Sequence, residues 1–243
     1  MGAFYSNTVT NFVNDDSKSI IGSLATQSGI AGFHQLLHSQ TLSWGEEINV
    51  LQSSLNKAII QNPQIGKFGI LLEYPIARRA KRIDAVIIAN NLVIVIEFKV
   101  GQSEYLNADK EQLLDYCLDI RDFHFESRNK IIVPVLIATN GNEIENICLE
   151  SPELVKEIFY SNSNNLATTI VQILKQFNDD SSELNYKQWD ASDYSPTPTI
   201  IEAAQALYAG KSVVEISQSH ARQKNLKPFS FFQRYFNIKP IRP

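Results

Sequence analysis

Arg82-Ile-Asp-Ala-Val-Ile-Ile-Ala-Asn-Asn-Leu-Val-Ile-Val-Ile-Glu-Phe-Lys-Val100 is the stretch that decides the fold. The β-branched runs 82–89 and 92–100 predict two strands, with only Asn90-Asn91 between them. Asn tolerates positive φ, so this two-residue loop predicts a type I′ hairpin turn. That loop length sets the register: Ala89 opposite Leu92, Val86 opposite Val95, Asp84 opposite Glu97. Cross-strand neighbours on one face hold their Cβ atoms roughly 5 Å apart. Asp84 and Glu97 are therefore expected side by side, and Lys99, two residues on, points the same way. Two carboxylates that close repel unless a cation lies between them, so the expected site is shaped for a hard divalent ion.

Charged strand ends are commonly no more than solvated. Here the strand bodies are apolar on both faces (Val86, Ile87, Ile88; Val93, Ile94, Val95, Ile96), which predicts a central pair covered on both sides. Burying acids at the ends of such strands is costly without partners or a metal. That cost favours a site.

A chain of 243 residues, 44% hydrophobic and 20% charged, is long enough for a sizeable core. Its net charge of −4 argues against coating nucleic acid through bulk charge. A local patch is a different matter: Arg78, Arg79, Lys81 and Arg82 stand just before Asp84, and phosphate contacts need no more. Cys117 and Cys148 are far apart, which suits neither a disulfide framework nor a zinc site and fits a reducing cytoplasm. No secretory leader is expected at the N-terminus, and no apolar run reaches ~18 residues. His34 and His38 are four apart, but Gln35 replaces the glutamate a zinc protease requires.

Along the chain, short helices are expected around Ser17–Leu24 and Gly32–His38. A longer helix is predicted over Leu42–Ile60, with Ser43 as N-cap. Trp44, Ile48, Leu51 and Leu55 form its apolar stripe. Glu47 borders that stripe, whereas Glu46 points away, so only Glu47 is expected to reach an interior site. A strand at Phe68–Ile76 precedes the hairpin. A helix at Asn107–Phe125 follows it, opened by Asp109 and Glu111 as the helix dipole favours. A strand at Ile131–Ala138 and helices at Glu153–Tyr160, Ala167–Phe177 and Ile200–Ala209 complete the pattern, with a linker at Asp190–Pro198. The fold class is α/β, a mixed central sheet flanked by helices.

Asp84, thirteen residues, then Glu97-x-Lys99, with Glu47 on the preceding helix, resembles the PD-(D/E)XK nuclease superfamily. Ile83 stands where the name-giving proline would be. Gln112-Leu-Leu-Asp-Tyr116 looks like the QxxxY element of RecB-type members. Met1-Gly-Ala-Phe-Tyr-Ser, Lys81-Arg82-Ile-Asp84 and Glu97-Phe-Lys-Val-Gly101 narrow the resemblance to the N-terminal domain of bacterial Schlafen-like DNA/RNA helicases. The resemblance covers roughly residues 1–215 and implies a restriction-endonuclease-like core, αβββαβ. It places a nuclease-like domain at 1–190, and leaves a linker, helix and tail at 191–243. Neither a helicase motor nor ATP binding is expected within these residues: Ala209-Gly-Lys-Ser212 imitates a Walker A ending, but Gln205 stands where the first glycine is required.

What the resemblance implies is a Mg²⁺- or Mn²⁺-dependent nuclease acting on DNA, with RNA the weaker expectation. Its catalytic set is Glu47, Asp84, Glu97, Lys99, Gln112 and Tyr116. Asp84, Glu97 and the backbone carbonyl of Phe98 hold the metal, and Arg78, Arg79, Lys81 and Arg82 hold the phosphate backbone. The alternative is an inactive nucleic-acid- or partner-binding module serving a helicase or a defence system. Neither alternative involves a membrane.

Overall fold

β-branched and aromatic runs form strands where both faces can be covered, and the sheet here is built that way. In the computed structural model its strands are β1 (Tyr5–Thr8), β2 (Gly69–Ile76), β3 (Lys81–Ala89), β4 (Leu92–Lys99), β5 (Ile131–Ala138) and β6 (Phe159–Ser161). They lie in chain order across one sheet. The first four are mutually antiparallel, while β5 and β6 run parallel to β4. The helices are α1 (Val9–Asn14), α2 (Ser17–Ile30), α3 (His38–Gln61), α4 (Asn107–Phe123), α5 (Leu166–Phe177) and α6 (Tyr186–Asp190). The structure describes residues 2–31, 38–76, 81–147, 151–179 and 184–194. All of them belong to one unit, Met1–Ser195. The expected helices at Gly32–His38 (apart from His38, where α3 begins) and Ile200–Ala209, and the Walker-like Ala209–Ser212, lie outside the described residues.

Two apolar layers sandwich the sheet. On one face Phe12, Leu24, Leu51 and Ile173 of α1, α2, α3 and α5 pack on Ile70, Ile87, Ile94 and Val135. On the other, Leu113, Tyr116 and Ile120 of α4 and Trp189 of α6 pack on Leu71, Val86, Val93 and Leu136. This two-sided burial makes β3 and β4 apolar throughout their bodies. Among the described residues, no helix is long and apolar enough to cross a membrane.

Three local expectations are corrected. Helix α3 starts at His38, so Ser43 lies inside it and caps nothing; no Gly or Pro stands at 38–42 to stop the helix earlier. The segment 153–160 is not a helix. Ile132 donates its N–H to the Leu154 carbonyl (2.8 Å) and accepts from Lys156 N–H (2.9 Å). The chain then enters β6, because the outer edge of β5 needs hydrogen-bond partners more than this segment needs its helical propensity. The hairpin turn is not type I′. Asn90 alone of the two has positive φ (51°). Asn91 is tied down by its side chain, which donates to the Phe177 carbonyl and accepts from Asp179 N–H. The register nonetheless runs Ala89 to Leu92, Val86 to Val95 and Ala85 to Ile96.

Candidate metal centre

Strand alternation breaks where the acids sit. Leu72 and Ala85 are paired, and both enter the core on the α3 side. Tyr74 and Ile83, paired two residues along, enter the core on the α4 side. Residues two apart in a strand normally share a face, so β2 and β3 turn over between these pairs. Glu73 and Asp84 occupy that step, and Glu73 adopts a left-handed φ of 53° to allow it. A non-glycine residue there costs of order 1–3 kcal/mol and persists only where its surroundings over-determine it.

The turnover gathers three carboxylates. One oxygen each from Glu47, Glu73 and Asp84 all lie within 4.8 Å of one another. Glu47 reaches them from α3, while Glu46 is exposed. Glu73 accepts from Trp44 Nε1 (2.8 Å) and is ion-paired to Arg82. Asp84 accepts from the backbone N–H of Phe98 (2.7 Å), just past the last ladder pair, Ala85–Ile96. That N–H is the contact the structure gives between Phe98 and the acids.

Glu97 approaches from the other side. Its neighbours Ile96 and Phe98 both enter the α3-side core, so Glu97 turns towards α4. There Gln112 Nε2 donates to Glu97 Oε1 (2.6 Å) and to the Tyr116 hydroxyl (2.9 Å). Lys99 Nζ bridges Glu97 Oε1 (3.1 Å) and Asp109 Oδ1 (3.2 Å). Asp84 and Glu97, expected side by side, line one cleft, and Glu97 is the foremost charge acting on Asp84. The turnover of β2 and β3 falls at Asp84, and the Phe98 N–H ties its carboxylate to β4. The cleft, of about 490 Å³, is lined by Glu47, Glu73, Asp84, Glu97, Gln112 and Tyr116 together with Trp44, Lys81 and Arg82. Lys99 joins it through Glu97.

The basic patch divides. Arg78 and Arg79 lie outside the described residues. Lys81 is exposed, with its ammonium 5.8 Å from the Tyr116 ring centroid. Arg82 is turned to Glu73, and its guanidinium lies 5.5 Å from the Phe4 ring centroid.

Electrostatics follow from crowding. Desolvation, then Glu73 and Glu97, push the Glu47 carboxyl up to about 8. Desolvation, Glu97, Glu47 and Glu73 raise Asp84 well above the ordinary range, against the Phe98 N–H, which favours the ionised form. Desolvation lifts Glu97 to about 7 even though Lys99 opposes it. For Lys99, desolvation pulls down, but Glu97 and Asp109 outweigh it and the net shift is upward. A carboxyl whose folded pKa exceeds its unfolded value stabilises the fold at low pH and loses that contribution as pH rises through the window. With unfolded values near 4, the metal-free protein is expected to melt highest near pH 5 and progressively lower towards pH 8. Thermal melts in chelator across that range check it; a melting temperature that rises from pH 5 to 8 refutes it.

Glu97 is 4% exposed, and its Oε2 has no hydrogen-bond partner among the described residues. Among the described residues four carboxylates face the cleft, with Arg82 ion-paired to Glu73, Lys99 to Glu97, and Lys81 on the lining. An all-oxygen donor set with an unused buried oxygen suits a hard divalent cation, and Glu47, Glu73 and Asp84 could hold one. A larger hollow of about 760 Å³ near Asn90 carries amides, Lys67 and Lys175 and, among the described residues, no carboxylate, imidazole or thiol.

Two residues were missed from sequence. Glu73 is the only charged residue in Phe68–Ile76, a signal that an acid is being buried for a reason. Asp109 was assigned only to the helix dipole, and nothing in its sequence position reveals its contact with Lys99. No protein-family model, curated protein or solved structure matches this chain.

Proposed function

We propose that this chain is a Mg²⁺-dependent nuclease with a restriction-endonuclease-like core, hydrolysing phosphodiester bonds in DNA. The observation that carries the reading is one cleft lined by Glu47, Asp84, Glu97 and Gln112, with Lys99 held on Glu97. The order α3, β2, β3, β4, α4, β5 supports it, being the helix, three strands, helix and strand of that core. Asp84, Glu97 and the Phe98 carbonyl would hold the ion, with Glu47 beside them. The chemistry such an ion supplies is polarisation of the scissile phosphate and a lowered pKa for water.

The chain's own residues do the rest. Gln112 fixes one Glu97 oxygen and leaves the other available. Asp109 and Glu97 hold the Lys99 ammonium between them, charged, where it would offset negative charge developing on the phosphate. Lys81 at the rim would take a backbone phosphate without reading sequence. Such a domain would serve a helicase or defence partner of the Schlafen-like kind. The test is cleavage of plasmid, single-stranded DNA and RNA in Mg²⁺ or Mn²⁺, with Asp84→Ala as control. DNA cleavage lost in the control supports the reading. Preference for RNA reassigns the substrate, and no cleavage of any substrate leaves the binding-module alternative.

A further inference from the structure

We infer that Glu73 is a further carboxylate ligand of the metal centre, and that Arg82 is its stand-in cation, which an arriving divalent ion displaces. This rests on the metal reading above. Glu73 is 4% exposed and lies within the same 4.8 Å grouping as Glu47 and Asp84. A second observation comes from Glu97, which lines the same cleft: it is also 4% exposed and keeps a buried oxygen, Oε2, with no partner among the described residues. The buried charge of Glu73 has to be balanced, because an uncompensated buried carboxylate is costly. Arg82 balances it at one oxygen, and Trp44 N–H holds the other. A guanidinium satisfies a carboxylate as a diffuse monovalent fork. A small divalent ion in contact with three carboxylates interacts more strongly with each. Arg82 would then swing from Glu73 towards the mouth of the cleft it already lines, where a phosphate is its natural partner. On this account Arg82 balances the acidic centre without metal, and loading the ion releases it from Glu73.

Trp44 reports the event, since its indole N–H is bonded to the carboxylate that changes partner. The full chain, without nucleic acid, is titrated with Mg²⁺ while tryptophan fluorescence is followed. The protein has two tryptophans, so Trp44→Phe assigns the signal. A saturable change is expected in the parent and is lost in Trp44→Phe. Its midpoint is expected to move roughly 10- to 100-fold higher in Glu73→Gln, the usual cost of disturbing a metal's ligand environment. Arg82→Gln should move it lower, because the competing cation is gone. Circular dichroism checks folding. Should Glu73→Gln not fold, Glu73→Asp, which keeps the charge but shortens the reach, is expected to weaken binding in the same direction. A Glu73 variant with the parent's midpoint, or Arg82→Gln binding more weakly, overturns this inference. If the parent still cleaves DNA, the nuclease reading survives that result. A parent that binds no divalent cation overturns both.

Discussion

Asp84→Asn and Glu97→Gln are each expected to reduce Mg²⁺-dependent cleavage by at least ~10²–10³-fold, the scale of removing one group that stabilises transition-state charge. Both variants should stay folded. Asp84→Asn keeps an acceptor for the Phe98 N–H, and Glu97→Gln keeps one for Gln112. Removing a charge from the crowd relieves repulsion, so the metal-free Asp84→Asn protein should melt above the parent near pH 8. The gain for Glu97→Gln should be smaller, because Lys99 loses one of its two counter-charges. In the parent, Mg²⁺ at about 100 times its dissociation constant contributes ~2.7 kcal/mol, which is roughly 5–10 °C for a chain of this size. That shift should nearly vanish in both variants. Scanning calorimetry with and without Mg²⁺ decides the matter. If both variants melt well below the parent and Mg²⁺ moves none of the proteins, the acids are structural.

Lys99→Ala should separate chemistry from metal binding. Its ammonium bonds Glu97 Oε1 and Asp109 and leaves Glu97 Oε2 available to a metal. Cleavage should again fall by ~10²–10³-fold, for loss of charge stabilisation on the phosphate. The Mg²⁺-induced rise in melting temperature should be kept or enlarged, since a competing cation has gone. A Lys99→Ala protein that loses the Mg²⁺ shift along with cleavage would place the lysine in the architecture of the site rather than in its chemistry. Asp109→Asn provides the graded control: it loosens Lys99 without removing it, so its cleavage rate should fall between parent and Lys99→Ala.

The register of the central hairpin was legible because a two-residue loop leaves little choice of pairing. It puts Asp84 level with Glu97, one step past the last ladder pair, Ala85–Ile96. The inward turn of Glu47 was legible because 3.6-residue periodicity places it beside Trp44 and Leu51. The segment 153–160 was misread because its apolar spacing suits a helix as well as an edge segment, and only the needs of β5 decide between them. Glu73 carries no periodic signal of its role, because the left-handed backbone that turns it to the acids is not readable from a strand pattern.

Periodicity, turn length and two-sided hydrophobicity are local properties. By themselves they determined a mixed α/β sheet, the run of helix, three strands, helix and strand at its centre, and the level at which the acids meet; the edge strands β1 and β6 were not among them. Which faces the acids take was decided by the turnover of β2 and β3 at Glu73 and Asp84. The two apolar layers require Leu72 and Ala85 on one side and Tyr74 and Ile83 on the other, and the strained Glu73 backbone absorbs the conflict. Arg82 was likewise assigned to phosphate from charge alone. Its pairing with Glu73 arises from the demand of a buried carboxylate for a counter-charge, and that demand exists only once the chain has folded.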